Sequence, residues 1–360
     1  MADGSEYRRS RRPARWPRPP EIIHVGAACR DVAPDDPRGW RLGGGVTYAA
    51  LTTARLGLRT VAVVGVDALA RTASELDLLR EAGAELLVLD LPEGPIFHNV
   101  ETPAGRVQTC LATGVPLPVP AMPESWAHAA AWSIAPVAGE VTDAWAATIP
   151  DGAYVGLAWQ GFLRTLRPGQ RVTKRAPVAG RLLDRADIVG VSHHDLDPST
   201  PLVELFPLLR PSGRLLVTQG HEGGFLVTLD ADRRPAAEVR YRATRSDREL
   251  DPTGAGDVFL AALISTGVRR ALAGRAYGRP DLPFAAAAGS LVVEGPGLTA
   301  VPDRAAVLVR MARERVRQLV RPTVAERIGT YDGEAGSTTT APGGGPRRRG
   351  PRRRRGPRAG

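Results

Sequence analysis

With 360 residues, 43% of them apolar, the chain can bury one large core or two small ones, and it contains no run of about 20 uninterrupted apolar residues that would mark a membrane span. Its two cysteines, Cys29 and Cys110, exclude a disulfide framework and a cysteine zinc site and read most simply as buried small hydrophobes. The formal charge of +10 sits at the ends: residues 1–20 contribute +4 and residues 346–360 contribute +8, so the body between them is near −2 and does not itself read as a nucleic-acid platform.

The leader, residues 1–20, carries arginines and prolines where a signal peptide has its apolar segment, which gives the expectation of a cytoplasmic protein. EIIHVGAAC then reads as a first buried strand, and GGGVTYAALTTARLGL as a helix opened by glycines and closed at Gly57. TVAVVGV is a strand, ASELDLLREAGA a helix with a glycine stop, and ELLVLDL a third strand. PIFHNVETPAGRVQTCLATGV breaks the rhythm with two alternating segments around a Thr-Pro-Ala-Gly turn, the pattern of a hairpin that can act as a flap. GAYVGLAW, RADIVGVS and GRLLVTQG resume the strands, followed by the pair GGFLVTLD and AEVRYRA. Helices are expected after DPTGAGD, over PFAAAAGSLVVEG and over 303–319. Strand and helix in alternation indicate a parallel sheet covered on both faces. The expected division is a leader at 1–20, one domain at 21–321 with a lid from segments near 29–42 and 95–113, and an Arg/Gly/Pro-rich tail at 322–360 too polar to pack. That tail is compatible with weak contact to nucleic acid or an acidic partner, and the lid strands have edges on which a homodimer could pair.

DPTGAGD carries the chemistry. A glycine-rich turn before a helix presents unpaired backbone N–H groups at the positive end of the helix dipole, where phosphate oxygens bind. Gly254, Ala255 and Gly256 let a phosphoryl group approach the backbone, and Asp257 stands where a carboxylate can take a proton from an attacking hydroxyl. The plainer reading makes Asp257 a compensator of the helix dipole. Two glycines around an alanine, between two aspartates, favour phosphate chemistry. The P-loop pattern is absent, since the single lysine, Lys174, lies in RVTKRAP, and no G-x-G-x-x-G follows the first strand. His193 and His194 are adjacent and lack a third ligand at zinc spacing, the six tryptophans lack a base-stacking pattern, and no G-x-S-x-G elbow is present.

In this setting DPTGAGD resembles the C-terminal signature of the PfkB, or ribokinase-like, carbohydrate kinases. VGAACRD is similar to that family's first-strand motif, GGGVTYAALTTARLG to its di-glycine motif, and VTQGHEGG to the turn before its nucleotide site. The resemblance spans about residues 21–320. It implies a three-layer α/β/α fold with a mostly parallel central sheet and a small β lid, and an ATP- and Mg²⁺-dependent kinase acting on a sugar or cyclitol hydroxyl. It further implies Asp257 as general base with Gly254, Ala255 and Gly256 as anion hole. On the acceptor side it implies Asp31, Gly43, Gly44, Tyr48, Asn99 and Arg164; on the ATP side Thr218, Gly220, Gly223 and Thr253; and Asp195 near the metal through water.

The chain departs from the family at two places. Tyr48 stands where the family has Asn, and Ser192-His193-His194-Asp195 replaces Asn-x-x-Glu. Cys29-x-Asp31, Thr47-Tyr48, the GRVQ turn and AWQGFLR look most like inositol 3-kinases and their bacterial relatives, which implies Phe97, Asn99, Arg106 and Gln108 in the lid and Gln160 and Arg164 near substrate or phosphate. QGFLR reads equally as an ordinary strand-to-helix turn. The alternative reading, favoured by Tyr48 and Ser192, is a binding or regulatory protein of the same fold that has lost turnover.

Overall fold

The protein is described here from a computed structural model covering residues 19–102, 105–277 and 280–320. The expected leader up to residue 18, the Pro103-Ala104 turn and the expected tail from residue 322 lie outside the described residues. A compact body runs through Arg315, and a second unit begins at Val316.

In chain order the strands are β1 (Ile22–Ala27), β2 (Cys29–Val32), β3 (Trp40–Gly43), β4 (Thr60–Val66), β5 (Glu85–Asp90), β6 (Pro95–Thr102), β7 (Gly105–Thr113), β8 (Ala131–Ile134), β9 (Tyr154–Ala158), β10 (Arg164–Thr165), β11 (Gln170–Arg171), β12 (Thr173–Lys174), β13 (Ile188–Ser192), β14 (Arg214–Thr218), β15 (Gly224–Leu229) and β16 (Pro235–Tyr241). The helices are α1 (Gly45–Arg55), α2 (Glu75–Glu81), α3 (Arg181–Arg185), α4 (Ala255–Leu272), α5 (Leu282–Val292) and α6 (Arg304–Val320).

Nine strands form the central sheet in the order β5-β4-β1-β8-β9-β13-β14-β15-β16. Seven run parallel, and β15 and β16 add an antiparallel edge. The run from β1 to β5 grows to one side of β1 and the run from β8 grows to the other, so the sheet reverses direction between β1 and β8. In open parallel sheets the crevice at such a reversal, beyond the carboxyl ends of the strands, is where ligands bind.

The inner strands are apolar on both faces because both are covered. Ala62, Val64 and Val66 of β4 pack with Ile22 and helices α1, α2, α4 and α5 on one side. Val61 and Val63, with Ile23, Val25 and Ala27, face a second layer that holds Trp126, Trp145, Leu182 and Phe206. That layer is made of α3 and short 3₁₀ turns at 124–128, 143–148, 202–204 and 206–208. Pro116, Pro118, Pro120 and Pro123 lead into the first of these turns. Proline lacks an N–H and steers the preceding residue from α geometry, which keeps an α-helix from forming there. Strand β8 follows in this Pro-rich, turn-rich stretch, and its four residues are too few for an alternation pattern to reveal.

A second sheet of five strands, in the order β11-β7-β6-β2-β3, forms the lid. It contains the two expected lid segments and one further strand, β11, whose Gln170 and Arg171 pair with Cys110 and Thr109. The expected hairpin is β6/β7, with Asn99 opposite Gln108.

Candidate active site

Helices α1 and α4 both begin at the sheet reversal, and both begin on a glycine with no side-chain cap. Gly44 precedes α1 at φ 104°, and Gly254 precedes α4 at φ 81°. Only glycine adopts this left-handed backbone without penalty. A Cβ at Gly44 would also stand 2.6 Å from the Ala27 carbonyl oxygen, and one at Gly254 would run into the Tyr48 ring. The first turns of the two helices therefore aim N–H groups without intrahelical partners at one crevice, a surface suited to anionic oxygens.

Asp257 lies in the first turn of α4 and reaches across to α1. A Cβ on Gly45 would be 2.8 Å from Asp257 Oδ1 and 3.2 Å from Ala135 Cβ at the end of β8. Gly26 fits equally closely, its missing Cβ falling 2.6 Å from the Ala135 carbonyl. The carboxylate thus sits directly over the β1/β8 junction. Burial pushes Asp257 up to about 6, against the pull of Arg164, and the charge of Asp195 adds to the rise. A carboxylate with that affinity is poised to accept and release a proton near neutrality.

Arg164 on β10 is held by donation from Nη1 to the Val137 carbonyl, 3.3 Å, with its guanidinium 5.8 Å from the Phe97 ring. Burial lowers its pKa, while Asp195, Cys29, Asp257 and Asp31 pull the other way. It is the cation that these four groups share. The Val137 loop is in turn held by Glu140, a buried carboxylate that accepts from the backbone N–H groups of Ala27 at 2.9 Å, Val137 at 3.1 Å and Ala138 at 2.8 Å. Glu140 was not foreseen from the sequence, where it is one acid in an apolar stretch, SIAPVAGEV.

The lid closes the other side. Asp31 on β2 accepts from Asn99 Nδ2 at 3.2 Å and from Cys29 Sγ at 3.6 Å, and Gln108 Nε2 donates to Asn99 Oδ1 at 2.7 Å. Burial raises Asp31 to about 6, opposed by Cys29, Arg106 and Arg164. Gly43 is backed directly by the Asp31 carboxylate. Arg106 on β7 reaches the signature loop: its Nη2 donates to Thr253 Oγ1 at 3.2 Å and lies 3.9 Å from Asp251 Oδ1. Asp251 shapes that loop by accepting from the N–H groups of Thr253 at 2.9 Å and Gly297 at 3.2 Å.

Tyr48, expected on the acceptor side, is 2% exposed and lies beneath Gly254. It supports the turn from below.

On the other flank, β14 ends at Thr218, whose carbonyl accepts from the His193 N–H at 3.0 Å. Asp195 accepts from Gln160 Nε2 at 3.1 Å and 3.4 Å. Gly220 and Gly223 turn the chain between β14 and β15 at φ 56° and 97°, with Gly223 close against the Tyr241 carbonyl, and the Tyr241 ring lies 5.0 Å from that of Phe259 of α4, tilted by 36°. His193 and His194 contact each other at 3.8 Å. Among the described residues no group of three or more His, Cys, Asp or Glu side chains could hold a metal ion, and no helix is long and apolar enough to cross a membrane.

No family model matches the chain, and no curated protein matches it in sequence. Solved structures do match. A pyrophosphate-dependent kinase in the ribokinase family, complexed with a pyrophosphate analog and myo-inositol, is 20% identical over 80% of this chain and 99% of that one, with a TM-score of 0.60. A fructokinase with bound ATP from Xylella fastidiosa is 20% identical over 82% and 99%, TM-score 0.61, and a ribokinase from Giardia lamblia is 18% identical over 82% and 99%, TM-score 0.62. The three-layer α/β/α fold implied by the motifs is the ribokinase-like fold, and this chain has it.

Proposed function

We propose that the protein is a kinase of the ribokinase-like family that transfers the terminal phosphoryl group of ATP to a hydroxyl of a sugar or cyclitol. The observation that carries this reading is the juxtaposition of Asp257 and the uncapped start of α4 with a lid face made of hydrogen-bonding groups: Asp31, Asn99, Gln108 and Arg106. A face of this composition suits an acceptor covered in hydroxyls better than an apolar ring.

In this reaction Asp31 accepts hydrogen bonds from acceptor hydroxyls and fixes their orientation. Asp257 takes the proton of the attacking hydroxyl as its oxygen bonds to the donor's terminal phosphorus and the bond to the bridging oxygen breaks. The N–H groups of Gly256 and Asp257 and the Arg164 guanidinium stabilise the charge on the phosphoryl oxygens in transit, while the Ala255 N–H is donated to the Pro252 carbonyl at 3.3 Å. Lid contact through Arg106 and Thr253 excludes water, which competes for the phosphoryl group. Thr218, Gly220 and Gly223 face the remainder of the donor. Asp195, which accepts from Gln160 on that flank, would hold Mg²⁺ through water, and the metal would there neutralise donor charge.

The test is phosphoryl transfer by the purified full chain, with MgATP and with Mg-pyrophosphate as separate donors, to myo-inositol, ribose and fructose. Acceptor-dependent release of ADP supports the reading in full. Release of phosphate from pyrophosphate alone replaces the donor. Absence of both, with no polyol raising the melting temperature, favours a binding protein of kinase fold.

A further inference from the structure

We propose that Gln108 is a positioning residue for the acceptor site: by donating to Asn99 Oδ1 it fixes the Asn99 amide so that its NH₂ group holds the Asp31 carboxylate. This rests on the reading of Asp31 as the group that receives acceptor hydroxyls.

The argument runs outward from the carboxylate. Asp31 and Asn99 lie on neighbouring parallel strands, with Asp31 opposite Phe97 and Asn99 two residues further along, on the same face. Asn99 and Gln108 are directly opposite across β6 and β7, where side chains come within hydrogen-bond reach. An ionised carboxylate only accepts, so the Asn99 end that meets it at 3.2 Å is the NH₂. The Asn99 carbonyl must then face β7, where Gln108 Nε2 meets it at 2.7 Å. Without Gln108 the amide loses the second of the two contacts that set its direction among the described residues, and only the longer bond to Asp31 remains to hold it. Turned over, it would set a carbonyl oxygen against Asp31 and repel the charged form. The groups around Asp31 are Cys29 on its own strand and, from other elements, Arg106 on β7, Arg164 on β10, Asp251 before α4 and Tyr48 on α1. None of these orients Asn99 in the structure. Asn99 keeps one N–H beyond the bond to Asp31, available to an acceptor hydroxyl, so the relay leaves both Asn99 and Asp31 committed to one geometry.

The experiment compares wild type with Q108L, N99A and the double variant, following the Asp31 carboxyl by ¹³C NMR titration of the ligand-free full chain, assigned against D31N, and KM and kcat for myo-inositol, ribose and fructose. Q108L is expected to raise the Asp31 midpoint by roughly half a pH unit, because the carboxylate loses a donor. The double variant is expected to rise no further than N99A alone, as for a residue acting through its neighbour. In turnover, KM should rise about tenfold with kcat within about threefold. Should Q108L fold poorly, Q108E keeps the volume and, ionised, cannot donate; it should raise the midpoint more. An unchanged midpoint, additive shifts, or loss confined to kcat overturns the proposal. A midpoint that responds while wild type neither binds nor turns over a polyol keeps the relay and overturns its assignment to an acceptor site.

Discussion

Gly45 and Asp257, 212 residues apart, meet across the sheet reversal with no room for a methyl group between them: a Cβ on Gly45 would stand 2.8 Å from the carboxylate oxygen. The first turn of one helix thereby fixes where the carboxylate of another can be. Neighbouring glycines in this motif have different duties, and substitution separates them. Gly44→Ala forces a side chain onto φ 104° and against the Ala27 carbonyl, and should destabilise the protein by about 2–4 kcal/mol. Gly45→Ala meets chiefly the movable end of Asp257, so the variant should fold and melt within a few degrees of wild type. Its kcat should fall by about 10–100-fold, as for a reacting group displaced by a fraction of an ångström. Denaturant melts and kinetics of the two variants check the contrast; an unstable G45A with normal specific activity would contradict it.

Asp257 should weaken the fold that holds it. Its folded affinity for a proton, near pH 6, exceeds that of an unfolded aspartate near 3.9, so the native state binds the proton more tightly. The stability this provides is complete below about pH 4 and is lost as pH rises through 6. Asp257→Asn escapes that loss. After allowance for solvent screening at a half-buried group, it should be more stable than wild type by about 1–2 kcal/mol at pH 8. Melting curves from pH 4 to 8 should show the gap closing toward pH 4, and a gap that widens there would reverse the sign of the argument.

The same carboxylate sets the pH dependence of turnover. As a base it must be ionised, so kcat at saturating polyol should fall about tenfold per unit below pH 6 and level off above it, while kcat/KM should fall more steeply because Asp31 also titrates near 6. A profile flat down to pH 4.5 would remove Asp257 from the proton transfer.

His24 carries the opposite sensitivity. It is wholly buried on β1, its Nε2 bonded to Thr53 Oγ1 at 2.8 Å and its Nδ1 without a partner among the described residues, and burial lowers its pKa to about 3. The unfolded chain takes up a proton below about pH 6.5 and the native chain does not, so stability present above that value drains away by about 1.4 kcal/mol per unit as pH falls toward 3. His24→Gln keeps a hydrogen-bonding side chain and should flatten the slope between pH 6 and 4 by about one proton. An unchanged slope would place acid sensitivity elsewhere.

Much of this fold was legible because its signals are local. The runs EIIHVGAAC, TVAVVGV and GRLLVTQG each have a continuous apolar centre rather than an alternating pattern, as suits strands covered on both faces, and each holds a strand of the central sheet. The glycines of DPTGAGD announced a helix start, and the structure has α4 beginning at Ala255 behind a left-handed Gly254. What escaped depends on the third dimension. Strand β8 is four residues after a Pro-rich stretch, and β11 is two residues that acquire meaning only beside Cys110. The approach of Gly45 to Asp257 and the hold of Glu140 on three backbone amides join segments more than a hundred residues apart, which no periodicity encodes. Tyr48 was read through its position in a motif, and its place under Gly254 depends on the approach of α4 to the buried helix α1, which the sequence does not encode.

The central claim is that Asp257 accepts the proton of the attacking hydroxyl, and the most direct measurement is kcat for Asp257→Asn beside the dissociation constant for the polyol that the wild type phosphorylates. The account predicts a fall in kcat of about 10²–10⁴ with polyol binding within a few-fold of wild type, the signature of a lost general base in an intact site. A variant whose kcat stays within about threefold of wild type would contradict it.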